Sequence, residues 1–104
     1  MIFIETGVFT KIITELLTDE DYANLQKSLY FNPEQGDIIP GSGGLRKIRW
    51  KQSLMGKRGG IRVIYYFRST QGEIIFLYAY PKSKTENLTQ KQLKMLKKIV
   101  EEWK

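Results

Sequence analysis

Seven of the chain's seventeen lysines and arginines fall between Gly43 and Phe67, in GGLRKIRWKQSLMGKRGGIRVIYYF, with no acidic residue among them. The acid-free interval is wider still. Between Asp37 and Glu73 stand Arg46, Lys47, Arg49, Lys51, Lys57, Arg58, Arg62 and Arg68, while the rest of the chain has nine basic and eleven acidic residues. The net charge of +6 is therefore owed entirely to the middle of the chain. A concentrated positive field attracts polyanions: nucleic acid, or less often an anionic membrane surface. Five of the eight cations are arginines, whose planar fork suits bidentate contact with phosphate as a lysine's point charge does not. With aromatic residues nearby, the pattern favours nucleic acid over a merely solvated face, although Trp50, Tyr65 and Tyr66 themselves read as packed side chains.

The residue types that are missing narrow the chemistry. The chain has no cysteine and no histidine, so disulfides and thiolate metal sites are excluded. The usual metal ligand and the usual neutral-pH general base are missing as well. No metal or cofactor is expected. The apolar runs are too short to cross a bilayer, and MIFIETGVF lacks the basic and apolar regions of a signal peptide. The expectation is a cytoplasmic protein without a membrane partner. Its 104 residues, 41% apolar, suit one globular domain spanning 1–104 with one modest core.

Elements must position these cations. Ile2 to Glu5 reads as a strand. Thr10 to Leu17 reads as a helix, with Ile12, Ile13, Leu16 and Leu17 on one side. Thr18 is placed to cap a second helix whose first turn holds Asp19, Glu20 and Asp21, where negative charge suits the helix dipole. Tyr22, Leu25 and Leu29 repeat along it at helical spacing, and Asn32-Pro33 ends it. Pro33 to Gly44, with four glycines and two prolines, reads as a loop long enough to be functional or mobile.

In Leu45–Lys51 alternation places Ile48 and Trp50 on one face with Arg46, and Lys47, Arg49 and Lys51 on the other. Three cations on one strand face cannot be core, because buried unpaired charge costs several kcal/mol. That face must meet solvent or a ligand. Gln52 to Gly60 reads as a basic connection. Ile61–Arg68 follows, with Ile61, Val63, Tyr65 and Phe67 opposite Arg62, Ile64, Tyr66 and Arg68. Gln71-Gly72 suits a hairpin turn. Glu73–Tyr80 is apolar on both faces, as in a strand covered on both sides. Thr89 and Gln92 fit a capping box for a last helix with Leu93, Leu96, Ile99, Val100 and Trp103 on one face. The fold class is α+β. The sequence predicts a small antiparallel sheet, an N-terminal strand plus a three-strand meander, packed with two N-terminal helices and one C-terminal helix.

The segment NP-x-x-GD-x-IPG-x-GGLRKIR, followed by KRGG-x-R-x-IYYF, resembles the HigB branch of the RelE-type bacterial toxins over nearly the whole chain. The resemblance implies the toxin of a type II toxin–antitoxin pair: a metal-independent endoribonuclease that cuts mRNA in the ribosomal A site and stops translation. It implies as partners the small ribosomal subunit, mRNA and a cognate helix-turn-helix antitoxin of HigA type. Operator DNA would be reached only through that antitoxin. It also implies roles for residues. Lys47 and Arg49 match the family's basic pair on the first meander strand, and Arg62 matches an arginine at the start of the next. Tyr80, Lys82 and Lys84 stand where the family places further catalytic groups. RelE itself has an arginine and a tyrosine where Ser83 and Thr89 stand near here. Arg46, Lys51, Lys57, Arg58 and Arg68 are expected to grip RNA or the ribosome.

The reaction is feasible without histidine. Internal attack by a 2′-hydroxyl needs that hydroxyl deprotonated, the phosphorane charge stabilised and the 5′-oxygen protonated. Arginine and lysine can hold the phosphate and stabilise the charge that grows on it. Crowded cations lower a lysine's proton affinity, and a tyrosine can carry a proton. Two other functions compete: a ParE-type poison of DNA gyrase, and a non-catalytic RNA-binding module.

Overall fold

The computed structural model describes residues 1–52, 60–85 and 87–103. Eight elements follow in order: β1 (Ile2–Glu5), α1 (Gly7–Leu16), α2 (Asp19–Phe31), β2 (Asp37–Ile38), β3 (Leu45–Trp50), β4 (Ile61–Arg68), β5 (Glu73–Pro81) and α3 (Gln90–Trp103). The strands form one sheet in the order β1-β5-β4-β3-β2.

Helix α1 starts three residues before the sequence reading placed it. Thr6 is its cap: Oγ1 accepts from the Phe9 amide at 3.1 Å and donates to the Leu77 carbonyl at 3.0 Å. The cap thus ties the helix start to β5 and buries Phe9 against Phe76, with ring centroids 4.9 Å apart. Thr18 caps α2 as expected, accepting from the Asp21 amide at 3.0 Å. The capping box of α3 closes in both directions, Thr89 N to Gln92 Oε1 at 2.9 Å and Gln92 N to Thr89 Oγ1 at 3.1 Å.

The meander of β3, β4 and β5 is antiparallel, as the sequence predicts, but β1 pairs with β5 in parallel, Ile2 opposite Glu73 through Glu5 opposite Phe76. The sheet is therefore mixed. The side-chain pattern of β1 specifies which face is buried but says nothing about strand direction. After β1 the chain runs through α1 and α2 from the β1 edge of the sheet to the β2 edge. The strand β2 lies inside the stretch whose sequence reads as a loop, since two residues leave no alternation to detect. It pairs with β3 through Asp37 opposite Lys47 and Ile38 opposite Arg46.

Each face of the sheet carries its own apolar cluster. On one, Ile48, Val63, Tyr65 and Phe76 pack against Phe9, Ile13, Leu25 and Leu29 of α1 and α2. On the other, Ile64, Ile75, Leu77 and Tyr80 pack under Leu96 and Val100 of α3. β5 serves both clusters, which is why it is apolar on both sides. Among the described residues no helix is long and apolar enough to cross a membrane.

Candidate functional site

Two hollows stand out among the described residues. One, of about 460 Å³, lies between the start of α1 and α3, and none of its lining side chains is charged; Val8, Leu77, Met95 and Ile99 make most of it. The other, a cleft of about 530 Å³ at the β2–β3 edge, is lined by Gln35, Asp37, Pro40, Lys47, Arg49 and Asn87, among others. Only the second can hold a phosphate. It is also where strand alternation places the basic face of β3.

The cleft is built by two clamps on the Pro33–Ile38 segment. Tyr65 on β4 is fully buried, yet its hydroxyl reaches this segment, accepting from the Gly36 amide at 2.9 Å and donating to the Pro33 carbonyl at 2.8 Å. Burial, partly offset by the Gly36 amide, raises the Tyr65 pKa, so the hydroxyl stays protonated and can donate. Arg46 on β3 supplies the second clamp. Its Nη1 donates to the Glu34 and Gly36 carbonyls at 2.9 and 2.8 Å, and its Nη2 pairs with the Glu34 carboxylate at 3.3 Å. Gly36 is required by close approach. A Cβ there would lie 2.8 Å from the Tyr65 ring and hydroxyl and 3.2 Å from the Lys47 carbonyl. The Gln35 amide anchors the same segment to Ser28 and Asn32 on the α2 side. The turn beyond is closed by Ser42, whose Oγ donates to the Ile39 carbonyl at 2.6 Å and accepts from the Leu45 amide at 3.0 Å.

With its walls fixed, the cleft presents Lys47 and Arg49. The Lys47 ammonium donates to Asn87 Oδ1 at 2.9 Å, drawing in the segment that precedes α3. Arg49 is exposed. Cross-strand register places Arg62 opposite Arg49, and Tyr80 opposite Arg62, in one row on the α3 side of the sheet. Exposure falls steeply along that row, to 2% at Arg62 and 4% at Tyr80. A guanidinium so buried cannot reach a phosphate by direct contact in this conformation. Its backbone position is opposite Arg49 in the β3–β4 register.

The remaining sequence-selected residues scatter. Lys51 is exposed just past β3. Lys82 and Lys84 are exposed on the turn after β5, where their amides bond to the Gly60 and Pro81 carbonyls at 3.1 Å each; neither is among the cleft's lining residues. Arg68 lies at the opposite end of β4. Its Nε donates to Glu73 Oε1 at 2.9 Å and its Nη1 to the Trp103 carbonyl at 2.6 Å, and it lies over the Trp103 ring. Its guanidinium fastens the end of α3 and does not face the cleft. Trp50 is packed in the helix-side core with its Nε1 donating to the Asp21 carbonyl at 3.0 Å. Lys57 and Arg58 lie outside the described residues. Gln35, Asp37 and Asn87 are cleft residues that sequence reasoning passed over. Asp37 had been visible as the acid at the boundary of the basic interval, but Gln35 and Asn87 carried no signal at all.

The family model of the RelE toxin of the RelE/RelB toxin–antitoxin system matches residues 9–104. Among solved structures, a mutant of the Escherichia coli toxin RelE in the free state superposes with a TM-score of 0.58 at 13% identity, over 82% of this chain and 86% of that one. At that identity the superposition speaks for the fold alone. It is the mixed sheet, with helices on both faces, that the two chains share.

Proposed function

The chain belongs to the RelE toxin family, matching its model over residues 9–104, and from that premise we propose that it is a HigB-type toxin that cuts mRNA in the ribosomal A site. The observation that carries this reading is the Lys47–Arg49 face, held open to solvent in a cleft of about 530 Å³. A cleft of that size at a sheet edge admits an extended RNA strand. Arg49 grips the scissile phosphate through its exposed fork. Lys47, fixed by Asn87, adds a positioned point charge that grows in value as the phosphorane forms. Arg62 raises the potential behind Arg49, and Tyr80 packs against the same row.

The attacking 2′-oxygen forms a bond to phosphorus as the bond to the 5′-oxygen breaks, leaving a cyclic phosphate and a 5′-hydroxyl. This internal attack requires no metal. Lys51, Lys82 and Lys84, exposed outside the cleft, are contacts for ribosomal RNA, and the same role falls to Lys57 and Arg58 from their charge alone. Arg46 and Arg68 contribute charge while their guanidinium groups hold the loop and α3. The partner that silences the toxin is an antitoxin with an acidic or amphipathic surface, of HigA-like helix-turn-helix type, which also carries the complex to operator DNA. A reaction on ribosomes places the protein in the cytoplasm.

The test is primer extension on a reporter mRNA in a reconstituted translation reaction, comparing wild type with Arg49→Ala. Arg49 is preferred to Arg62 because it is exposed, so its removal deletes charge without opening the core. Breaks that require ribosomes and weaken in the variant support the reading. Arrest of translation without breaks makes the protein a non-catalytic ribosome binder. Normal translation together with growth arrest moves the target to DNA gyrase.

A further inference from the structure

We propose that Asp37 is the general base of this site, taking the proton from the attacking 2′-hydroxyl. The inference rests on the RNA-cleaving reading and supplies what that reading lacks, a proton acceptor in a chain without histidine.

The argument begins with placement. Asp37 stands directly opposite Lys47 in the β2–β3 register. Directly opposed residues share a sheet face, with Cβ atoms about 4.5–5.5 Å apart. Asp37 is thus on the same side as Lys47 and Arg49, and all three line the cleft. Among the described residues, Asp37 is also the only acidic one that lines the cleft. It is exposed, and among the described residues no hydrogen bond or salt bridge engages its carboxylate, while the other polar side chains near it are occupied. Gln35 is bonded to Ser28 and Asn32, Lys47 to Asn87, and Arg46 to Glu34 and Gly36.

The structure also fixes where Asp37 sits. The preceding residue, Gly36, is bonded on both sides of its peptide unit, its amide to Tyr65 and its carbonyl to Arg46. A base must be held within hydrogen-bond reach of the proton it removes. A two-residue strand nailed down at its entry provides that.

The step balances. The 2′-oxygen loses its proton to the Asp37 carboxylate and forms its bond to phosphorus. The bond from phosphorus to the 5′-oxygen breaks, and water at the open side of the cleft supplies the proton that completes the 5′-hydroxyl. The carboxylic acid then returns its proton to solvent. Lys47 and Arg49 hold the phosphate between these two transfers.

The competing account makes Asp37 an electrostatic counterweight to Lys47. The two accounts predict opposite results for Asp37→Asn, which keeps the shape and removes both the charge and the basicity. A counterweight, once neutralised, leaves a more positive cleft, so RNA is held more tightly and cleavage is unchanged or faster. A general base, once removed, costs about 100-fold or more in rate, with binding to the ribosome–mRNA complex equal or tighter. The experiment is single-turnover cleavage of a defined ribosome-bound mRNA at saturating toxin, with wild type, Asp37→Asn and Asp37→Glu, and Asp37→Gly with and without added formate. We expect at least a 100-fold loss in Asp37→Asn, partial activity in Asp37→Glu, and recovery of Asp37→Gly by formate. Cleavage by Asp37→Asn within about threefold of wild type, in a reaction where wild type cuts, overturns this assignment and leaves the RNA-cleaving function standing. Absence of cleavage by wild type overturns both.

Discussion

The Tyr65 hydroxyl is a single group on which stability and site geometry should both depend. It reaches from the centre of β4 to the segment that carries Asp37, accepting from the Gly36 amide and donating to the Pro33 carbonyl. Tyr65→Phe keeps the ring and its burial and deletes both bonds. The Gly36 amide is then left in a buried position without its acceptor, at a cost of about 1–3 kcal/mol; the Pro33 carbonyl, which is nearer the surface, loses less. A total of about 2–3 kcal/mol is a large share of the roughly 5–15 kcal/mol that holds a domain together. In urea, at about 1–2 kcal/mol per molar for a chain of this size, the unfolding midpoint should fall by roughly 1–3 M. Per folded molecule, mRNA cleavage should also fall, because the entry to β2 is released. Gly36→Ala reaches the same contact from the other side, pressing a methyl against the Tyr65 hydroxyl. A Tyr65→Phe midpoint within about 0.3 M of wild type would refute the reasoning, since it would mean that water or a shifted backbone satisfies Gly36 at no cost.

Three further outcomes follow from the same geometry. Arg68→Ala removes the bonds to Glu73 and to the Trp103 carbonyl; hydrogen exchange in the last turn of α3 should quicken and stability should fall by about 1–3 kcal/mol, and unchanged protection there would show that the latch carries nothing. Lys47→Ala and Arg49→Ala should each weaken toxin binding to ribosomes programmed with mRNA, and each should lower the slope of log affinity against log salt by about one unit, a change that a loss of packing does not produce. Burial first, and then the hydrogen bond and charge of Glu5, push the Tyr22 phenol well above the ordinary tyrosine value of 10. Because the folded state holds that proton more tightly than the unfolded chain, the contribution is fully present below pH 10 and is lost as pH rises above it. Urea midpoints between about pH 9 and 11.5 should therefore decline in wild type and decline less in Tyr22→Phe.

The sequence was most informative where one side chain had one job. Alternation in Ile61–Arg68 gave both faces and both ends of β4, and Thr18, Thr89 and Gln92 marked helix starts through bonds made within four residues. The reading weakened where the cause lay far off in the chain. Thr6 caps α1 locally, through the Phe9 amide, but what holds this helix start in place is its bond to Leu77, seventy-one positions away, which nothing near Gly7 announces. The direction of β1 shows only in its pairing with β5. At the site, Lys47 and Arg49 were legible from charge and period alone. Arg62 was legible as a position but its burial was not, because alternation gives a side chain's face but not how much of the protein lies above it. Asn87 reaches Lys47 across forty residues, and nothing in its neighbours in sequence points there.

Basic residues on a strand near a sheet edge have an ordinary explanation, since edges need charge to discourage pairing with other chains. That explanation accounts for part of β3 and fails on three particulars. Edge protection is served by lysines free in solvent, yet the Lys47 ammonium is held by Asn87, forty positions along the chain. It asks nothing of neighbouring strands, yet the row continues inward through Arg62 to Tyr80, where a second guanidinium is buried at a cost that edge protection does not explain. It also has no use for a carboxylate opposite one of those cations, which weakens the repulsion an edge relies on. A phosphate site accounts for all three. It needs one cation held in a fixed geometry, a second exposed to grip, a deeper charge to raise the potential, and an acceptor for the proton of the attacking hydroxyl. Because β2 is only two residues long, it pairs with β3 at Arg46 and Lys47 and stops short of Arg49. The partner strand is thus long enough to bring Asp37 to Lys47 and too short to cover Arg49, the arginine proposed to grip the RNA phosphate.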